Sequence, residues 1–157
     1  MNFYLTLKTL HILSSVVLVG TGFGTAFYFF FANRTRSTPV IAAVARLVVR
    51  ADWWFTTPAV IAQPLTGWGL IALGGWSWRA PWIVTAVALY VLAGLCWLPV
   101  VGLQIRLARM AAHAHATGEA LPPAYWRDAR LWQRLGYPAF AAMVVIYGLM
   151  VFKPALI

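Results

Sequence analysis

Lys8 and His11 stand one helical turn apart inside an apolar stretch that runs from Tyr4 to Phe31. Ionisable groups are costly in lipid, so a lysine and a histidine within a membrane-length segment point to a functional site. On a helix, Lys8, His11, Ser15, Leu18, Gly22 and Thr25 recur at spacings of three and four and form one small, polar face, expected to look into a bundle. Counting from Phe3, His11 falls roughly 12 Å into its helix. Tyr90 is about as far from a helix start at Trp82, and Met143 about 14 Å from a helix end at Phe152, so the three are expected at one level. A neutral imidazole facing a bundle interior is a good ligand for haem iron, and methionine is a known partner ligand. The chemistry read from these residues is a haem held by His11, with Met143 as second ligand, Tyr90 at the same level and Lys8 near a propionate. The alternative is structural: His11 hydrogen-bonds a neighbouring helix while Lys8 reaches back to the headgroups.

Other chemistry finds less support. The three carboxylates, Asp52, Glu119 and Asp128, fall at or beyond the ends of apolar spans, which predicts no buried carboxylate for a proton relay. Phosphate-binding glycine loops, serine-nucleophile elbows and zinc-protease patterns are absent, so any reaction is expected to draw on a bound cofactor. His113 and His115, two residues apart in an alanine-rich stretch, point to different sides of a helix and read as solvated. Cys96, the single cysteine, reads as a packing residue.

The elements that must position these residues are membrane helices. The chain is 62% hydrophobic and 10% charged, against about 25% charged in soluble domains. Tyr4 to Phe31, Phe55 to Gly75, Trp82 to Leu103 and Gly136 to Phe152 are long or nearly long enough to span a bilayer. The expected fold is all-α: a four-transmembrane-helix bundle forming one domain over residues 1–157, with helices at about 3–33, 39–75, 81–115 and 124–153. Pro58 and Pro64 fall inside the second helix, where they free carbonyls for neighbouring side chains, and Gln63 reads as polar glue between helices. The opening span lacks a positive flank and is too long for a cleavable signal, so it is expected to stay.

Charge gives the orientation. Arg34, Arg36, Arg46, Arg50, Arg106, Arg109, Arg127, Arg130 and Arg134 sit in or beside the two long connections, and only Lys8, Arg79 and Lys153 fall towards the other side. The bias places both connections in the cytoplasm and both termini outside a bacterial inner membrane. A net charge of +9 then reflects headgroup contacts rather than nucleic acid. Most tryptophans lie near span ends, as in an aromatic belt. Gly20 and Gly24 form a GxxxG pattern, usable within the bundle or in a homodimer.

The opening Leu7-Lys8-Thr9-Leu10-His11 resembles the first helix of the bacterial membrane-bound, flavin-independent protoporphyrinogen oxidases, which begins with a Leu-Lys-x-x-His pattern. The likeness implies that His11 is a ligand of haem b. The third span, with Arg106, Arg109 and His113, and the fourth, from Arg134 to Pro154, look like that family's later helices. Where those oxidases carry Asn-Glu-x-Pro, this chain has Leu135-Gly136-Tyr137-Pro138 and no carboxylate. The overall pattern is closer to a sister group of predicted integral membrane proteins carrying a domain of unknown function. Together these imply a haem-binding membrane protein engaged in electron transfer or porphyrin-related oxidation, with an electron-transfer partner. The alternatives are a cofactor-free membrane subunit or assembly factor, and a small-solute or metal facilitator.

Overall fold

The computed structural model describes residues 2–154. Helix α1 (Phe3–Arg34) is followed by α2 (Thr38–Ala51), a π-helical turn (Asp52–Thr56), α3 (Thr57–Leu73), α4 (Pro81–Thr117) and α5 (Pro123–Phe152). No strand occurs among the described residues. At 32 residues, α1 is about 48 Å long, well beyond the roughly 30 Å of a bilayer core. Helices α1, α4 and α5 are each long and apolar enough to cross a membrane.

The sequence punctuates these helices where backbone chemistry demands it. Arg36 takes a left-handed φ of 57° between α1 and α2, and Pro39 falls in the first turn of α2, where its missing N–H costs nothing. Gly75 and Gly118, at φ 66° and 71°, end α3 and α4 in the conformation that lacks a Cβ penalty only for glycine. The expected second helix over 39–75 is not uniform: two α-helices flank a π turn. Pro58 has no N–H for the carbonyl one turn back, and its ring would press on that carbonyl in a regular helix. The wider turn just before it, closed by the Thr57 N–H on the Asp52 carbonyl, takes up the extra residue. Counted alone α3 has 17 residues, so α1, α4 and α5 are the three helices that singly meet a spanning length, while the helical backbone of α2 continues without a break through the π turn into α3.

Helix α1 packs mainly along α3 and α2, while α4 packs along α5 and α2. Between α1 and α5 the backbones stay apart and side chains make the contact: Gly22 and Phe23 meet the Phe140 ring, Phe23 at 5.6 Å edge to face, and Phe29 meets Trp132 at 5.0 Å. The main core lies towards the end that carries nine of the basic residues. There Ile41, Ala45 and Val48 of amphipathic α2 pack with Phe29, Leu103, Leu107, Tyr125 and Trp132. The Tyr125 hydroxyl donates to Asn33 Oδ1 at 2.6 Å, and the Arg36 guanidinium lies 4.0 Å over the Trp126 ring. A smaller core of Trp82, Ile83, Ala86 and Leu149 closes the opposite end, with Lys153 Nζ 4.5 Å over Trp76. Elsewhere Val16, Phe23, Leu95, Val144 and Val151 face outward, a surface suited to lipid rather than water.

One expectation is overturned here. Two carboxylates are buried: Asp128 is 4% exposed and Asp52 5%. Asp128 is reached by Arg106 at 2.6 Å and Arg127 at 3.6 Å. Position at the end of an apolar run does not exclude burial, because α4 and the start of α5 continue packing well past their apolar stretches.

Candidate functional site

The seam between α1 and α3 holds His11. Along α1, Leu7, His11, Ser14 and Leu18 are half-buried on one face, whereas Lys8 is exposed. Opposite them, α3 presents Gln63, Thr66, Gly67 and Gly69. The glycines admit the α1 side chains: a Cβ on Gly69 would stand 2.6 Å from Leu7 Cδ2, and one on Gly67 3.4 Å from His11 Cε1. Gln63, 9% exposed, donates from Nε2 to the His11 carbonyl at 2.8 Å and to Ser14 Oγ at 2.5 Å, tying one helix to the other.

The imidazole has a defined tautomer. Thr66 Oγ1 lies 2.6 Å from the Ala62 carbonyl and 2.7 Å from His11 Nδ1. A carbonyl cannot donate, so the hydroxyl proton goes to Ala62, and the proton in the second contact belongs to Nδ1. His11 thus has its Nδ1–H held by Thr66, and in the neutral ring Nε2 is the nitrogen left with a lone pair; it makes no hydrogen bond among the described residues. A metal-binding imidazole has this arrangement, its far nitrogen fixed so that the near one points its lone pair outward.

The other expected residues do not gather around His11. The Tyr90 hydroxyl donates to the Val60 carbonyl at 2.7 Å, the carbonyl one turn before Pro64 and therefore left without its helical N–H. Val60 is six residues from Thr66 along α3, about 9 Å nearer the arginine-rich end. Met143 is one turn from Phe140, and Phe140 meets Gly22, eleven residues beyond His11. Met143 therefore lies about 12 Å deeper than His11 along the helix axes. Counting from helix starts treats those starts as coplanar; the side-chain contacts set a different register. Lys8 shares the helix but not the buried face. His113 and His115 are exposed at the far end of α4, and no group of three or more His, Cys, Asp or Glu is placed to hold a metal ion among the described residues.

Thr66 and the two glycines escaped sequence reasoning, although Gln63-x-x-Thr66-Gly67-x-Gly69 does place polar and small residues on one stripe of α3. Matched to the His11 face of α1, that stripe is the available signal.

The comparisons with known proteins bear on the whole chain. A model of the predicted integral membrane protein family DUF2269 matches residues 5–154. The chain belongs to this family. Like the other observations, membership makes it an integral membrane protein with several apolar helices, housed in a lipid bilayer. Neither a curated protein nor a solved structure matches, so the likeness to the oxidases gains no support. DUF2269 membership brings no activity with it, and the seam described above has to be interpreted from its own atoms.

Proposed function

We propose that this protein binds haem b through His11 Nε2 and serves in electron transfer or a porphyrin-related oxidation within the membrane. The observation that supports the reading is Nδ1 held against the Thr66 hydroxyl, which leaves Nε2 without a protein partner and, in the neutral ring, with a free lone pair. Bound there, haem would supply a one-electron couple that the chain's own residues lack. Thr66 fixes the ring's rotation and tautomer. Gln63 ties the His11 backbone and Ser14 to α3, so that the ring does not drift along the seam. Gly67 lies against the imidazole, where an added Cβ would stand 3.4 Å from Cε1, in van der Waals contact with the ring. His11 would hold the haem iron; Met143, about 12 Å deeper, does not fit as a further ligand.

The test is spectroscopic. Purified protein, as isolated or after haem supplementation, is expected to show a Soret band, with α and β bands on dithionite reduction. His11→Ala should lose them and Met143→Ala should keep them. Protein that stays colourless after supplementation overturns the proposal.

A second reading is a cofactor-free membrane subunit or assembly factor. Its support is that Gln63 and Thr66 also make a complete polar joint between α1 and α3. On that reading His11→Ala weakens the fold while no haem is bound by either form. In both cases the arginine-rich end faces the cytoplasm of a bacterial inner membrane and both termini lie outside, by the positive-inside bias.

A further inference from the structure

Between α2 with its π turn and α4 runs a groove that holds a cavity of about 220 Å³, walled by Val49 and Trp53 on one side and by Trp97, Val101 and Ile105 on the other. Asp52 and Gln104 lie at its floor, but their polar atoms serve each other. Thr56 Oγ1 donates to Asp52 Oδ1 at 2.9 Å, the Gln104 side chain hydrogen-bonds the same carboxyl, and Asp52 Oδ2 and Gln104 Oε1 are closed off from the cavity. The surface left for an occupant is aliphatic and aromatic. From Trp97 to Ile105 it follows about 12 Å of helix. Trp53 and Leu98, 60% and 63% exposed, stand at its rims, so the groove opens sideways to where lipid chains lie.

Towards the arginine-rich end the same groove becomes charged. Arg46, Val49, Arg50 and Trp53 occupy positions i, i+3, i+4 and i+7, so one stripe of helix carries both the apolar wall and two guanidiniums. Both arginines are exposed, and neither has a carboxylate within ion-pair distance among the described residues, whereas Arg106 and Arg127 share Asp128. Like charges one turn apart repel, and an anion between them relieves that repulsion. Their long side chains reach back to the level of the headgroups while the wall beneath stays apolar. The occupant must therefore join a negatively charged head, best a phosphate that guanidinium can grip with two hydrogen bonds, to an apolar chain. A zwitterionic lipid brings the chain, but its own ammonium offsets its phosphate. An anionic phospholipid brings both.

We propose that this groove holds one anionic phospholipid, its phosphate taken by Arg46 and Arg50 and one acyl chain laid along the groove between Trp53 and Trp97. The site is separate from the His11 seam and does not rest on haem binding.

Native mass spectrometry of the full-length protein, released from detergent and titrated with dioleoylphosphatidylglycerol or dioleoylphosphatidylcholine, tests it. One phosphatidylglycerol is expected to bind at least tenfold more tightly than phosphatidylcholine. Arg46→Gln combined with Arg50→Gln should weaken phosphatidylglycerol at least fivefold and remove most of the preference. Arg130→Gln combined with Arg134→Gln takes the same charge from exposed positions of α5 and should leave the affinity within twofold. Val101→Trp fills the groove while keeping both arginines, so it should weaken both lipids several-fold, and it decides the matter if the Arg46 and Arg50 variant fails to fold. The proposal is overturned by equal affinity for the two lipids or by undiminished binding in the folded Arg46 and Arg50 or Val101 variant. An equal loss in the α5 variant also overturns it, since it would mean diffuse headgroup attraction only.

Discussion

At the scale of single residues, the chemistry of His11 is decided by a neighbour. Thr66 accepts a hydrogen bond from Nδ1–H because its own proton is committed to Ala62, and in the neutral ring the lone pair is then on Nε2. Thr66→Val removes the acceptor while keeping the shape, so the ring loses its anchor and its fixed tautomer. On the haem reading, reconstitution should weaken by roughly 10- to 100-fold, the usual effect of losing a ligand's supporting hydrogen bond, and the Soret maximum should shift. Titration of the purified variant with haem reads both. Gln63→Leu acts differently, since it removes the donor that Ser14 and the His11 carbonyl share, leaving only the hydrogen bond between those two, without touching the ring. It should cost about 1 to 3 kcal/mol of stability, measured by thermal melting in detergent, with the haem spectrum of the surviving fold unchanged.

At the scale of elements, prolines and their compensations organise α3. Pro64 leaves the Val60 carbonyl without an N–H, and Tyr90 of α4 supplies the missing donor at 2.7 Å. Tyr90→Phe should destabilise by about 1 kcal/mol. In a Pro64→Ala background, where a backbone N–H is restored, the same change should cost much less. A double-mutant cycle on melting temperatures measures that coupling, and strictly additive effects would sink the account. Much of this level was legible in advance. Apolar runs bounded by Pro, Gly and arginine placed α1, α4 and α5 closely, and Gln63 was readable as polar glue because an amide in an apolar span needs a partner. The π turn was not legible: Pro58 announces a disturbance, but whether the chain kinks or widens depends on what packs against it. Nor was Asp52's burial, which rests on Gln104, fifty-two residues away in sequence. The depth of Met143 failed for the same reason, since register is set by Gly22 against Phe140 rather than by helix length.

At the scale of the whole molecule, two halves meet loosely. Helix α1 with α3 forms one, α4 with α5 the other, and α2 bridges them at the arginine-rich end. That end carries the larger core, the Arg106–Asp128 pair and the Tyr125–Asn33 hydrogen bond. The orientation proposed from the arginines is checked by labelling single cysteines in a Cys96→Ala background. Ser77→Cys, in the loop between α3 and α4, should react with an impermeant maleimide in intact cells. Thr117→Cys should react only after the membrane is opened. The reverse pattern would invert the protein and carry His11 to the cytoplasmic leaflet.

The π turn at Asp52–Thr56 also works as a phase setter. Each residue of an α-helix advances the direction of its side chains by about 100°, so one surplus residue in the turn rotates everything after it relative to everything before. The stripe of α2 that fills the core and the stripe of α3 that meets α1 are kept in phase by that surplus. Remove one residue from Trp53-Trp54-Phe55, and Gln63 and Thr66 swing towards lipid while Ile41 and Val48 stay home. Five residues near one end of the molecule thus set the angle at which a histidine near the other is met.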